Sequence, residues 1–223
     1  MSFAGFDADQ FPGLPAMADL KSQYSWCGVY LAPSPSHNDS QWMTAHPALK
    51  AAGWGMLYIY VGRQIIGPGA RLPADPLVAA EMGKADGVNA VALVVSLGAP
   101  RGSTIVLDIE NGPPLVDPMK SYAVAWAMAV QGATTVDGAP SGYQAGAYCS
   151  HLFAQELFDT MLAAGVESPA LWVFRLTEQD EVTEDPGDSG FGAALAWQYK
   201  QNTMIKNIMV DLSVARYADP SAP

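Results

Sequence analysis

Short β-prone runs alternate with helical stretches five times along this chain, and that rhythm restricts its fold more than any other feature. The runs cover residues 4–7, 27–31, 54–61, 105–109 and 142–148. The helices expected between them cover 16–23, 41–52 (weakened by Pro47), 76–97 (interrupted near 83–87), 118–131 and 152–164. A helix that carries the chain from one strand to the next makes neighbouring strands parallel. A sixth strand is expected at 170–174, and there the rhythm breaks. Residues 178–190 are acidic and lack helical periodicity, so they are expected to be irregular and exposed. Strands at 193–199 and 208–214 follow, joined by a short polar connection over 200–207. Eight strands suggest closure. The expected fold is α/β: a degenerate TIM-type barrel of five β/α units followed by three strands that lack full helices. No linker or internal repeat divides the chain, so residues 1–223 read as a single domain.

Composition narrows the partners. The formal net charge is -11, with no Lys/Arg run, which argues against nucleic acid and anionic membrane. No apolar run reaches the length of a membrane span, so membrane insertion is not expected. Residues 1–7 lack the charged and apolar regions of a signal peptide. Either the protein is made in the cytoplasm, or an export segment has been removed and it acts outside. Two cysteines, Cys27 and Cys149, match neither a disulfide framework nor a cysteine zinc site. Placed at opposite ends of a parallel barrel, they are expected to be free thiols. A phosphate-binding loop, a dinucleotide fingerprint and a G-x-S-x-G elbow are all missing, and no cofactor is expected.

The chemistry-bearing stretch is Ser103-Thr104-Ile105-Val106-Leu107-Asp108-Ile109-Glu110, closed by Asn111-Gly112-Pro113-Pro114. Side chains alternate on a strand, so Asp108 and Glu110 point the same way. Two carboxylates on one face at the end of a buried strand disfavour each other's charge, and burial disfavours both. That combination lets a carboxylic acid donate a proton near neutral pH. The first strand ends at Asp7 and the last contains Asp211. First and last strands are neighbours in a closed barrel, and the fourth lies across the mouth, so four carboxylates are expected around one cavity. Tyr148, Trp172 and Trp197-Gln198-Tyr199 share the rim, and aromatic faces beside carboxylates suit sugar rings. A metal-dependent phosphodiesterase is a rival use of such carboxylates. It usually adds strand-end histidines, whereas His37, His46 and His151 read as surface or helix-capping residues.

Gly5-Phe6-Asp7, Leu107-Asp108-Ile109-Glu110, Trp197-Gln198-Tyr199 and Val210-Asp211, in that order, resemble the motifs of glycoside hydrolase family 25 lysozymes. They resemble the lysozyme-related "glycoside-hydrolase-like" barrels still more, from residue 4 to about 215. The resemblance implies five β/α units and three further strands, and cleavage of β-1,4 bonds in peptidoglycan or a related N-acetylated glycan. It implies Glu110 as proton donor, Asp108 as the group that orients or stabilises the N-acetyl sugar, and Asp7 and Asp211 as supporting acids. Tyr148, Trp172, Gln198 and Tyr60 are the expected substrate-binding residues. The implied reaction is retaining and substrate-assisted, without metal or cofactor. Two departures lean towards the glycoside-hydrolase-like branch. Tyr58-Ile59-Tyr60-Val61-Gly62 stands where lysozymes tend to have a Tyr-His-Phe type motif, and no cell-wall-binding repeat follows Asp211. The alternative reading is a catalytically silent barrel that binds cell-wall glycan or a protein partner.

Overall fold

The computed structural model describes residues 2–134, 138–179, 182 and 184–222. Among them, eight strands close into a barrel in chain order: β1 (Phe3–Asp7), β2 (Trp26–Tyr30), β3 (Gly55–Val61), β4 (Thr104–Asp108), β5 (Gln144–Ser150), β6 (Ala170–Phe174), β7 (Ala196–Ile205) and β8 (Ile208–Ala215). A helix follows each of the first five: α1 (Leu14–Leu20), α2 (Gln41–Ala51), α3 (Pro76–Ser96), α4 (Asp117–Gln131) and α5 (Ala154–Ala163). Neighbours from β1 to β7 run parallel.

The last strand departs from the parallel scheme. β8 runs antiparallel to both β7 and β1. The stretch expected as a polar connection is mostly strand, because β7 continues to Ile205 and pairs there with Ile208. Lys206 (φ 49°) and Asn207 (φ 66°) turn the chain back at once. Two consecutive left-handed residues are what a twist-matched two-residue hairpin requires. The 178–190 stretch carries a 3-10 turn at Pro186–Ser189, with Pro186, Ser189 and Val182 buried. It is therefore not wholly irregular and exposed, although Asp180, Glu181 and Thr183 lie outside the described residues.

Two helices hold where local signals weaken them. α2 runs through Pro47. Its buried face supplies tertiary support: Trp42 Nε1 donates to the Ala8 carbonyl (2.9 Å), and His46 Nε2 lies 3.1 Å from Tyr58 Oη. His46 is thus a packed interior residue and not a surface or capping one. α3 is continuous across Gly83 and Gly87, correcting the expected interruption. Both glycines sit where α3 meets α4. A Cβ on Gly83 would come within 2.2 Å of the Tyr122 carbonyl oxygen, and one on Gly87 within 2.6 Å of the Trp126 oxygen. They let two helix backbones touch. Gly83→Ala gains about 1 kcal/mol of helix propensity, yet forces the pair apart at a cost of about 1–3 kcal/mol. We expect a net fall of a few degrees in Tm; an unchanged or raised Tm would show that the helices spread freely.

Alternation sorts the strand residues into two sets. Phe6, Tyr58 and Tyr60 face the helical shell, with Phe6 edge-on to Tyr24 and Trp54. Trp26 and Trp172 meet edge-on inside the barrel, 6.2 Å between ring centroids, and fill its floor. Both cysteines are buried and free.

Candidate active site

Above that floor, at the ends of β1 and β4, lies a cavity of about 780 Å³. Asp7, Asp108, Glu110 and Asp211 all line it. Asp7 and Asp108 are the last residues of their strands. Glu110 lies two residues past β4. The Ile109 N–H still bonds to the Tyr148 carbonyl (3.0 Å), so the ladder outlasts the strand and Glu110 returns to the side of Asp108. Asp211 pairs directly opposite Asp7. It reaches the mouth because β8 descends from the mouth, not because it ends a strand there.

The four differ in surroundings. Asp7 is buried; Tyr30 Oη donates to its Oδ2 (2.9 Å) and Gln198 Nε2 to its Oδ1 (3.1 Å). Asp108 is 7% exposed, and among the described residues its Oδ1 meets no hydrogen-bond partner. Asp211 accepts from the Asn202 N–H (2.7 Å). Glu110 alone is exposed, at the cavity rim.

Proton affinity rises throughout the cluster. Burial, then the Asp211 carboxylate, pushes Asp7 up to about 8, against the pull of the Tyr30 and Gln198 hydrogen bonds. Burial, then Glu110 and Asp7, holds Asp108 well above the usual carboxylate range. Partial desolvation, then Asp9 and Asp211, raises Glu110. Desolvation raises Asp211 while the Asn202 N–H lowers it. Tyr30 and Tyr148 are pushed far up, chiefly by burial, and stay neutral hydrogen-bonding groups. Carboxyls so close together titrate as a set, with Asp7 and Asp108 raised the furthest.

A stability consequence follows from Asp7. Its folded pKa lies above the unfolded value of about 3.9, so the native state binds the proton more tightly. That contribution is complete below about pH 4 and is lost as pH rises towards 8. Asp7→Asn mimics the protonated form: it should flatten the fall in Tm between pH 4 and 8 and leave the protein more stable at pH 8. A variant profile parallel to wild type would assign the titration to another group.

The expected substrate-binding residues fall in three places. Tyr148 and Gln198 lie just beneath the cavity. Tyr148 Oη donates to Gln198 Oε1 (2.7 Å), while Gln198 Nε2 serves Asp7 and, at 3.5 Å, Asp211. Trp172 lies deeper, edge-on to Tyr148 at 4.7 Å, with Nε1 donating to Ser213 Oγ (3.2 Å). Tyr60 is not at the mouth. Val61 lines the cavity, so alternation turns Tyr60 outward, where its Oη donates to Asn89 Oδ1 on α3 (3.0 Å).

Other wall residues escaped the sequence reading. Tyr30 ends β2 as Asp7 ends β1, and the strand-end rule applied to carboxylates would have found it. His37, expected to be an ordinary surface or capping residue, is buried and lines the cavity. Its Nε2 lies 2.9 Å from the Asp39 carbonyl and its Nδ1 3.4 Å from Asp9 Oδ1. Gln64 and the β7–β8 hairpin, through Asn202 and Met209, complete the wall, and no local signal marks them. Among the described residues no group of three or more His, Cys, Asp or Glu is placed to hold a metal ion.

Comparison with known proteins agrees with the barrel fold. Residues 18–213 match the family model described as Rv2525c-like, glycoside hydrolase-like domain. An uncharacterised protein from B. stearothermophilus superposes with a TM-score of 0.67 at 19% identity, over 96% of this chain and 95% of that one. The catalytic domain of endolysin ply40, from bacteriophage P40 of Listeria monocytogenes, gives 0.60 at 17% identity, over 99% and 96%. A family GH25 lysozyme from Aspergillus fumigatus gives 0.58 at 11%, over the whole of both chains. At these identities the likeness is one of fold: the barrel is lysozyme-like. A search of curated proteins returns no match.

Proposed function

The chain belongs to the Rv2525c-like, glycoside hydrolase-like domain family, and on that premise we propose that it hydrolyses β-1,4 bonds in peptidoglycan or a related N-acetylated glycan. The observation that carries this reading is the Asp108–Glu110 pair, on one cavity wall with the proton affinity of both raised by burial and by neighbouring carboxylates. Glu110 is the proton donor. It is the accessible member of the cluster, so it can meet a glycosidic oxygen, and its raised proton affinity favours the protonated form that a general acid needs.

Asp108 serves the N-acetyl group. Its unpartnered Oδ1 can accept the acetamido N–H, and that hydrogen bond favours the ionised carboxylate. The acetamido oxygen then attacks the anomeric carbon as the leaving oxygen takes the proton of Glu110. Water, its proton taken by the Glu110 carboxylate, then attacks the same carbon and reopens the ring, which restores the acetamido group with net retention. This is the substrate-assisted exception to the two-carboxylate scheme. Asp7 and Asp211 hold the cluster's protons and, through Gln198, its geometry.

Incubation with purified peptidoglycan, followed by mass analysis of the released fragments, tests the proposal. Release of saccharides with N-acetylated reducing ends supports it. Binding without release would favour the catalytically silent glycan-binding barrel.

A further inference from the structure

We propose that Gln64 is a positioning residue for Glu110: its carboxamide clamps the main chain on both sides of Ile109 and thereby sets where the Glu110 carboxyl stands. The inference rests on the reading of Glu110 as proton donor. β3 and β4 pair as far as Val61 and Asp108, and there β3 ends. Beyond that point no strand among the described residues lies beside the outer edge of 108–110. The Gln64 side chain takes the strand's place. Its Nε2 donates to the Asp108 carbonyl (2.8 Å), and its Oε1 accepts the Glu110 N–H (3.1 Å). One amide group thus supplies the donor and the acceptor that a further strand residue would have offered. On the opposite edge the Ile109 N–H bonds to Tyr148 of β5, so the segment that presents Glu110 is held from both sides.

Gln64 is itself firmly held. Its residue is 1% exposed. Its N–H donates to the Ala70 carbonyl (3.0 Å) and its carbonyl accepts the Leu72 N–H (3.0 Å), which closes the base of the intervening loop. The next residue adds a third tie to the same segment, since the Ile65 N–H donates to Asn111 Oδ1 (2.8 Å). Pro68 and Gly69 of that loop line the cavity together with Glu110. The loop wall and the proton donor therefore form one unit, with Gln64 at the joint. A buried glutamine serving only packing needs satisfied hydrogen bonds anywhere; both of these go to the peptide groups flanking Ile109. General acid catalysis needs the acid within hydrogen-bond reach of the leaving oxygen, and a misplacement near 1 Å can cost about a hundredfold in rate.

Gln64→Met keeps the length of the side chain and removes both hydrogen bonds. Three readouts on it separate the possibilities: amide exchange at Glu110, kcat, and KM on soluble peptidoglycan fragments. We expect Glu110 amide exchange to accelerate about tenfold while β4 amides keep their protection. We expect kcat to fall about tenfold to a hundredfold, with KM little changed. Unchanged Glu110 protection, or protection lost evenly across the barrel, would overturn the clamp; so would an unchanged kcat beside an active wild type. The wild-type protein keeps the question open to measurement if the methionine variant fails to fold: the Glu110 N–H, bonded to Gln64 Oε1, should exchange about as slowly as the β4 amides. Fast exchange at Glu110 in the wild-type protein would also overturn the clamp. Should the wild-type protein cleave no glycan, the proposed activity fails, while the exchange measurements still decide whether Gln64 fixes the Glu110 main chain.

Discussion

Replacing Glu110 by glutamine is expected to lower kcat on peptidoglycan fragments by about a hundredfold to ten-thousandfold, the range contributed by a positioned general acid. Glutamine has the size of a protonated glutamate, so the cavity keeps its shape and binding should survive. What is lost is the transferable proton. The neighbours cannot replace it: Asp108 is enclosed, and Asp7 is committed to Tyr30 and Gln198. Because Glu110 sits at the rim, its exchange should leave Tm almost unaltered, which separates a catalytic loss from a folding one. Steady-state kinetics beside a binding titration would check this. Substantial turnover by the variant would rule out Glu110 as the donor.

Asp108→Asn should cost about a hundredfold to a thousandfold in kcat, the size of effect seen when one preorganised electrostatic contact is removed from a transition state. The substitution preserves shape. It removes the ability to take negative charge as the acetamido group attacks, and it sets an NH₂ against a wall that offers the buried Oδ1 position no partner. The loss should appear in kcat with N-acetylated substrates while the protein remains folded. Near wild-type kcat would show that Asp108 does not act on the acetamido group, and the substrate-assisted scheme would have to be abandoned.

Much of the site was legible because strand ends are local features. Asp7 and Asp108 could be placed by noting which residue follows the last apolar position of a run, and closure of eight strands put Asp211 beside Asp7. The same reasoning failed for Tyr60 by a single step of parity. Tyr60 and Val61 are adjacent in an aromatic-rich strand, and only the register against β4 shows that Val61 faces the cavity and Tyr60 the helix. His37 was misread for a related reason: a histidine in a Pro/Ser loop looks exposed until the loop is seen to fold over Tyr30, with the two rings 5.1 Å apart.

Periodicity and composition alone determined the α/β class, the order of the elements, the five helical crossovers and the concentration of carboxylates at strand ends. Each of these follows from residues close together in the chain, through strand alternation, helical spacing and turn chemistry. Tertiary structure decided the rest. β8 runs antiparallel because the left-handed turn at Lys206 and Asn207 pairs it back on β7 while its other edge seals against β1. α3 passes unbroken through Gly83 and Gly87 because α4 needs the space that a Cβ would fill. Gln64 came to hold the main chain of residues 44 and 46 positions away. Such contacts arise only when the barrel closes, because closure brings together groups whose separation along the chain leaves no trace in local pattern.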